Sequence, residues 1–534
     1  MKNTYCKLSA LSLIIACASE VNAQKHINSK VLPTNIVIIL ADDMGYSDIG
    51  CYGGEIKTPN IDKLASQGLR FTQFYNSARC CPTRASLLTG IYPHEAGMAD
   101  MVVTGPEKSV PGPYQGYLNN QCVTIAEVLK KAGYYTAAVG KWHVGEERPH
   151  WPIDRGFDNY IGLISGAANY FDITRTKAPG VKRVFARDST AYIPPEKGFY
   201  MTDFITNSAI DYLKIAKTKD QPFFLYLAYT APHWPLQALQ KDIEKYRGKF
   251  LKGWDILRKE RLERMKQIGI INEDMILSDR DEEVQAWDSL SDEQKDEMDM
   301  LMAIYAAQID RMDQGIGKVM NQLKDMGASE NTLIFFLSDN GACHEGGIWG
   351  GDFWGNFWEG KAVPGSKDSY HSYGRSWANL SNTPFRMFKH WVHEGGISTP
   401  LIVKWPGKVQ SKETITNQKG TVMDIMATCC DVANAKYPNE FEGHKIVPLR
   451  GKSLSPIFNG QERDDLGPIF WEHEGNAAVR TGDWKLVSKD SGGWELYNMS
   501  NDRTEMNDLT EQNEERSEKM LEIYKHWAIS VGIK

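Results

Sequence analysis

Four short runs in this chain are apolar almost from end to end and stop abruptly in polar clusters. Residues 35–41 run into Asp42-Asp43, and 134–140 into Lys141-Trp142-His143. Residues 223–229 run into Thr230-Ala231-Pro232-His233, and 332–338 into Asp339-Asn340-Gly341. Strands of this length without polar alternation are buried on both faces, the pattern of a parallel sheet covered by helices. Helix-like stretches lie between them, at Thr124–Ala132 and Met298–Met326. Ligands of open α/β sheets bind beyond the carboxyl ends of the strands. Four ends that deliver carboxylates, an amide, an amine and imidazoles therefore predict one dense polar site.

The formal net charge of −7, with no basic tail, excludes a nucleic-acid-binding face. An anionic partner would have to meet positive charge inside a pocket. Residues 1–23 read as a secretory leader: two lysines, a short apolar run, and Val21-Asn22-Ala23 before Gln24. Ile14-Ile15-Ala16-Cys17 also resembles a bacterial lipobox, so the exported chain is expected in the periplasm or secreted, or lipid-anchored through Cys17. No later stretch reaches the roughly 18 apolar residues of a transmembrane helix. Seven cysteines lie beyond the leader, an odd number that leaves one thiol for another task.

The segment 237–299 reads as a helical insertion whose charge runs are solvated faces. Residues 346–380 hold Trp349, Trp354, Trp358 and Trp377, either a sugar-stacking platform or a satellite hydrophobic cluster. After Pro406-Gly407 come short runs at 470–472, 477–480, 484–488 and 495–498, separated by turn residues, which read as a small antiparallel sheet. Residues 511–529 follow as a closing helix. The expected organisation is thus a leader (1–23), a catalytic α/β body (24–407) and a smaller C-terminal subdomain (408–534).

Cys80-Cys81-Pro82-Thr83-Arg84-Ala85-Ser86-Leu87-Leu88-Thr89-Gly90 resembles the sulfatase signature C-x-P-[ST]-R-x-x-x-L-T-G at every fixed position. Ile39–Gly45 resembles the first metal motif of that family and Ser338–Gly341 the second. Gly140–Gly145, Ala231-Pro232-His233 and the block Thr383–Lys389 with Glu394-Gly395-Gly396 resemble its remaining motifs, so the likeness spans nearly the whole chain after the leader. It implies an alkaline-phosphatase-like fold, with a mostly parallel central sheet flanked by helices. It also implies that a maturation enzyme oxidises Cys80 to formylglycine before folding.

The residue types fit that chemistry. Asp42, Asp43, Asp339 and Asn340 are hard oxygen ligands that suit calcium, with magnesium second, rather than zinc; the nucleophile at position 80 joins them in the implied metal set. A sulfate ester and an ionised aldehyde hydrate are both anionic, and a metal with Arg84, Lys141 and Lys389 would neutralise them. The resemblance implies attack on sulfur by the formylglycine diol, protonation of the leaving oxygen by His233 with Lys389 beside it, and release of sulfate after deprotonation by His143. Lys141 is expected to orient the diol and bind sulfate. His344, Glu345, Arg375 and His473 flank the expected site and are candidates for recognising sugar hydroxyls. The expected activity is hydrolysis of sulfate esters on glycans, galactose 3-sulfate among them. The alternatives are an alkyl or aryl sulfatase, a phosphonate monoester hydrolase, or a binding protein that has lost turnover.

Overall fold

A computed structural model describes residues 33–103, 110–176, 182–351, 362–409 and 414–533. The leader and Cys17 lie outside the described residues, as do Trp354 and Trp358. The four apolar runs are strands Asn35–Asp42, Tyr135–Gly140, Phe223–Pro232 and Thr332–Ser338. They occupy adjacent places in a ten-stranded mixed sheet. Asn35–Asp42 pairs in parallel with Thr332–Ser338 on one side and Phe223–Pro232 on the other, and the latter pairs in parallel with Tyr135–Gly140. All four carboxyl ends therefore emerge side by side on one edge.

Both faces of the sheet are covered, which is why the strands show no alternation. Val37, Ile39 and Ala41 belong to one hydrophobic cluster, shared with helices Met201–Lys217 and Asp292–Asp325. Ile36, Ile38 and Leu40 belong to another, shared with helices Cys80–Thr89, Ile125–Lys131 and Met423–Val432. Leu401–Lys404 adds antiparallel to Thr332–Ser338, so the sheet is mixed rather than wholly parallel.

Two expectations need correction. The insertion is helical over Gln240–Ile243 and Gly253–Gln267, but its charged residues are not all solvated. Arg261 is fully buried, paired with Asp48 at 2.9 Å and Glu55 at 2.8 Å. Its partners sit some two hundred residues away in sequence, so no local pattern marks it. The chain also does not break at 408. Ile415–Thr416 joins the large sheet beside Leu69–Phe71, Gly420–Thr421 pairs with Phe74–Tyr75, and Met423–Val432 packs in the core beside Cys80–Thr89.

The small antiparallel sheet begins only at Ile469, with strands Ile469–His473, Asn476–Thr481, Trp484–Ser488 and Trp494–Asn498 in sequential order. Helix Glu514–Ser530 closes one face, with Trp527 stacked on Phe470. Trp471, Ala478 and Val487 on the other face pack against Tyr75 and Ile397 of the catalytic body. Trp377 settles into a buried cluster with Trp254 and Trp287, whereas Trp349 stays partly exposed. No helix among the described residues is long and apolar enough to cross a membrane.

Candidate active site

Each strand ends by bending its polar cluster toward the same point. Asp43 and His143 adopt left-handed backbone (φ 67° and 58°), a conformation that ordinary side chains avoid and that clusters at functional sites. Gly140 (φ 101°) brings Lys141 back toward the sheet, where a Cβ would lie 1.8 Å from the Ala228 carbonyl oxygen. A Cβ on Gly166 would meet the His143 ring at 2.3 Å, so that position must stay bare for the imidazole to fit.

The carboxylates are held by three buried cations. Lys141 Nζ donates to both oxygens of Asp42 at 2.9 and 2.7 Å. Arg84 Nε and Nη2 donate to Asp339 Oδ2 at 3.0 and 2.7 Å. Lys389 Nζ donates to Asp43 Oδ2 at 3.0 Å. Asn340 Nδ2 donates to Asp43 Oδ1 at 2.7 Å and to the Gly341 carbonyl at 2.9 Å. Its Oδ1 is buried with no hydrogen-bond partner.

That orphaned amide oxygen, among three buried carboxylates, completes a set of oxygen donors that fits a hard cation. The electrostatics agree. Burial, joined by Asp339 and Asp43, pushes the Asp42 carboxyl well above its ordinary range despite Lys141 and Arg84. A divalent cation would relieve that crowding. Asp43 goes the other way: burial would raise it, but His233, Lys389 and Lys141 together hold it down.

Cys80 opens helix Cys80–Thr89 and is buried, its Sγ 3.4 Å from His143 Nδ1. Its hydrogen bond with Cys81, aided by Lys141 and His143, holds the Cys80 thiol well below the usual range, against burial. Burial lowers His143 to about 4, Cys80 opposing, and lowers His233 to about 3, with Asp43 opposing. His233 Nδ1 lies 2.6 Å from the Trp234 carbonyl oxygen, which can only accept, so Nδ1 carries the proton. Its Nε2 then faces Lys389 Nζ at 3.4 Å.

The four residues expected at the rim divide. Glu345 joins the site: Arg79 lies 3.0 Å from Oε1, and the Trp234 indole donates to Oε2 at 2.8 Å. His344 packs against Phe388 and Trp391. Arg375 is committed elsewhere, its guanidinium donating to Asp281 at 2.8 and 3.0 Å, because the charged insertion supplies that partner. His473 is fully buried in a separate cluster with His390 and Glu474. Arg79 and Trp234 were not singled out by sequence, although each adjoins a motif residue, Cys80 and His233. The 870 Å³ cavity lies elsewhere, between Tyr114, Trp494 and Tyr524, away from this chemistry.

A mixed sheet with helices on both faces, and a carboxylate–amide centre beside a cysteine that opens a helix, mark the class of ester hydrolases that hold a metal at such a centre. The sulfatase family profile matches residues 34–435, and the C-terminal profile of N-sulphoglucosamine sulphohydrolase matches 385–526. The chain belongs to the sulfatase family and is a sulfuric ester hydrolase of alkaline-phosphatase-like fold. It is 34% identical to an arylsulfatase of Klebsiella aerogenes over 455 residues, covering 84% of this chain and 96% of the relative. It is equally 34% identical to an uncharacterized sulfatase of Schizosaccharomyces pombe, covering 93% and 94% of the two chains. The crystal structure of Ps i-CgsB superposes with a TM-score of 0.68 at 28% identity, covering 94% of each chain. That protein was also solved in complex with k-i-k-neocarrahexaose.

Proposed function

We propose that this enzyme is an exported, exo-acting glycan sulfatase whose nucleophile is formylglycine made from Cys80 by a maturation enzyme. The observation that carries the reading is the polar rim: the Arg79–Glu345 pair and the Trp234 indole stand where an aryl sulfatase would need only apolar walls. The oligosaccharide-bound neighbour supports a glycan, and resemblance makes galactose 3-sulfate the first sugar to try. The leader-like residues 1–23 support export to the periplasm or beyond, and the lipobox-like run before Cys17 makes that cysteine the place for a lipid anchor.

Asp42, Asp43, Asp339, Asn340 and the residue at position 80 would hold the metal, calcium by its preference for oxygen donors. When bound, calcium supplies positive charge against the sulfate oxygens, and formylglycine supplies a hydrated aldehyde as nucleophile. Lys141 and Arg84 fix Asp42 and Asp339, so the ligands do not reorganise as charge develops. Lys141 and Lys389, buried and cationic, face an incoming sulfate. His143, neutral through burial, is placed to take a proton beside position 80.

His233 and Lys389 work as a pair on the opposite side. The resting proton sits on Lys389, and Nε2 of His233 accepts from it. An anionic ester placed between them favours the imidazolium, which can then give its proton to the leaving oxygen.

A peptide mass across Cys80, on protein from its native host, tests the nucleophile. An aldehyde or its hydrate is expected, and an unmodified thiol in fully active protein would refute it. Relative rates on sulfated sugars and a nitrophenyl sulfate then decide between the glycan reading and an aryl sulfatase. The arylsulfatase relative favours the second reading, and superior turnover of the nitrophenyl ester would establish it.

A further inference from the structure

The left-handed backbone of Asp43 (φ 67°) persists only because its surroundings impose it. Lys389 and Asn340 hold the Asp43 carboxylate, but neither bond fixes the peptide that carries it. That task falls to a carboxylate and a phenol outside the motifs.

The loop after Asp43 closes on Asp48, which is fully buried. Asp48 Oδ2 accepts from the Gly45 N–H at 2.9 Å and from the Tyr305 hydroxyl at 2.7 Å. Asp48 Oδ1 accepts from Arg261 at 2.9 Å, so the carboxylate keeps a cation whether or not the phenol is there. On its other side the loop is pressed against Ser381, whose carbonyl oxygen accepts from the Ser47 N–H at 3.1 Å. A Cβ on Gly45 would lie 2.4 Å from that oxygen.

Tyr305 reaches the loop from helix Asp292–Asp325, 262 residues from Asp43 along the chain. Its ring is buried and stacked on Tyr373, with centroids 4.2 Å apart and planes at 20°. The hydroxyl has one proton, aimed at Asp48, and the Asp43 carbonyl oxygen lies beside it at 3.3 Å. The other end of that peptide unit, the Met44 N–H, donates to Ser338 Oγ at 3.0 Å. Both polar ends of the Asp43–Met44 peptide are therefore held, and with them the direction in which Asp43 faces.

We propose that Tyr305 and Asp48 are positioning residues for Asp43, holding its peptide so that the carboxylate already faces the cation before the cation binds. Neither touches the reacting atoms. The inference rests on the metal set given above.

The test is the calcium dependence of the thermal midpoint, measured on enzyme stripped with a chelator. Tyr305→Phe removes only the hydroxyl, keeps the stack on Tyr373, and leaves Asp48 with Arg261 and Gly45. The calcium concentration giving half the stabilisation should rise by about 10–100-fold, the usual cost of losing an outer-sphere partner. Asp48→Asn, which offers one acceptor oxygen instead of two, should raise it in the same way. Tyr246→Phe is the control: it removes the same kind of bond, to Asp310 at 2.9 Å, between residues that bond to none of the metal ligands. It should lower the midpoint in chelator and leave the calcium dependence as in the wild type. An unchanged calcium requirement in either Tyr305→Phe or Asp48→Asn, whatever the loss of stability, would make the pair structural and overturn the proposal. So would an equal rise in Tyr246→Phe. A wild type that neither calcium nor magnesium stabilises would defeat the metal set itself.

Discussion

Asn340 gives its amide nitrogen to Asp43 Oδ1 at 2.7 Å, and this bond decides which end of the amide faces the carboxylate centre. The buried oxygen left over has nothing else to bind. Asn340→Ala should weaken metal retention by at least the roughly 10–100-fold that loss of an outer-sphere partner costs. Metal analysis after dialysis against a chelator, with calcium added back, measures it.

The Lys389–His233 pair makes a prediction about leaving groups. Loss of a general acid costs about 10²–10⁴-fold in turnover. His233→Ala should show that loss on a sugar sulfate and a much smaller one on nitrophenyl sulfate, whose phenolate leaves without a proton. Circular dichroism should be unchanged. Equal losses on both esters would assign His233 to sulfate binding.

Arg261 is a stability prediction away from the chemistry. Removing one partner of a buried ion pair strands the other charges, at about 3–5 kcal/mol. Arg261→Ala would leave Asp48, fully buried, without its cation, whereas Glu55 would keep Arg264 at 3.0 Å. The thermal midpoint should fall sharply, whereas an exposed neighbour such as Lys259→Ala should leave it nearly unchanged.

Acid should destabilise the fold through its buried imidazoles. Burial lowers His344 to about 3 and His473 to about 4, against an ordinary value of 6.5. As pH falls below 6.5, the unfolded chain binds protons that the native state refuses, so stability is lost on acidification. Each group contributes at most about 1.4 kcal/mol per pH unit in that window. His344→Phe, set against Phe388 and Trp391, should flatten the dependence of thermal midpoint on pH.

The central strands were legible because burial on both faces forces unbroken apolar runs. The residues after them were legible because apolar strands rarely end in paired carboxylates. Strand order was not, since Asn35–Asp42 and Thr332–Ser338 are neighbours only through tertiary packing. Arg261 and Arg375 escaped for a related reason: a charged helix residue looks the same whether it meets water or a distant carboxylate. The boundary at 408 misled because Pro406-Gly407 marks a turn, while Ile415–Thr416 returns to the large sheet. His473 carried no sequence sign of its burial beyond its place in a short strand.

The strand order also sets a clock. Cys80 is sealed by Arg84, which binds Asp339, and by Lys141, which binds Asp42. Asp339 leaves the ribosome about 260 residues after Cys80, a gap of roughly 10–50 s at ordinary rates of synthesis. Until that strand docks, the thiol is exposed on an unfinished chain; afterwards it is walled in. Any enzyme that works on this cysteine must reach it before that strand docks, so a faster-closing sheet would leave it less time.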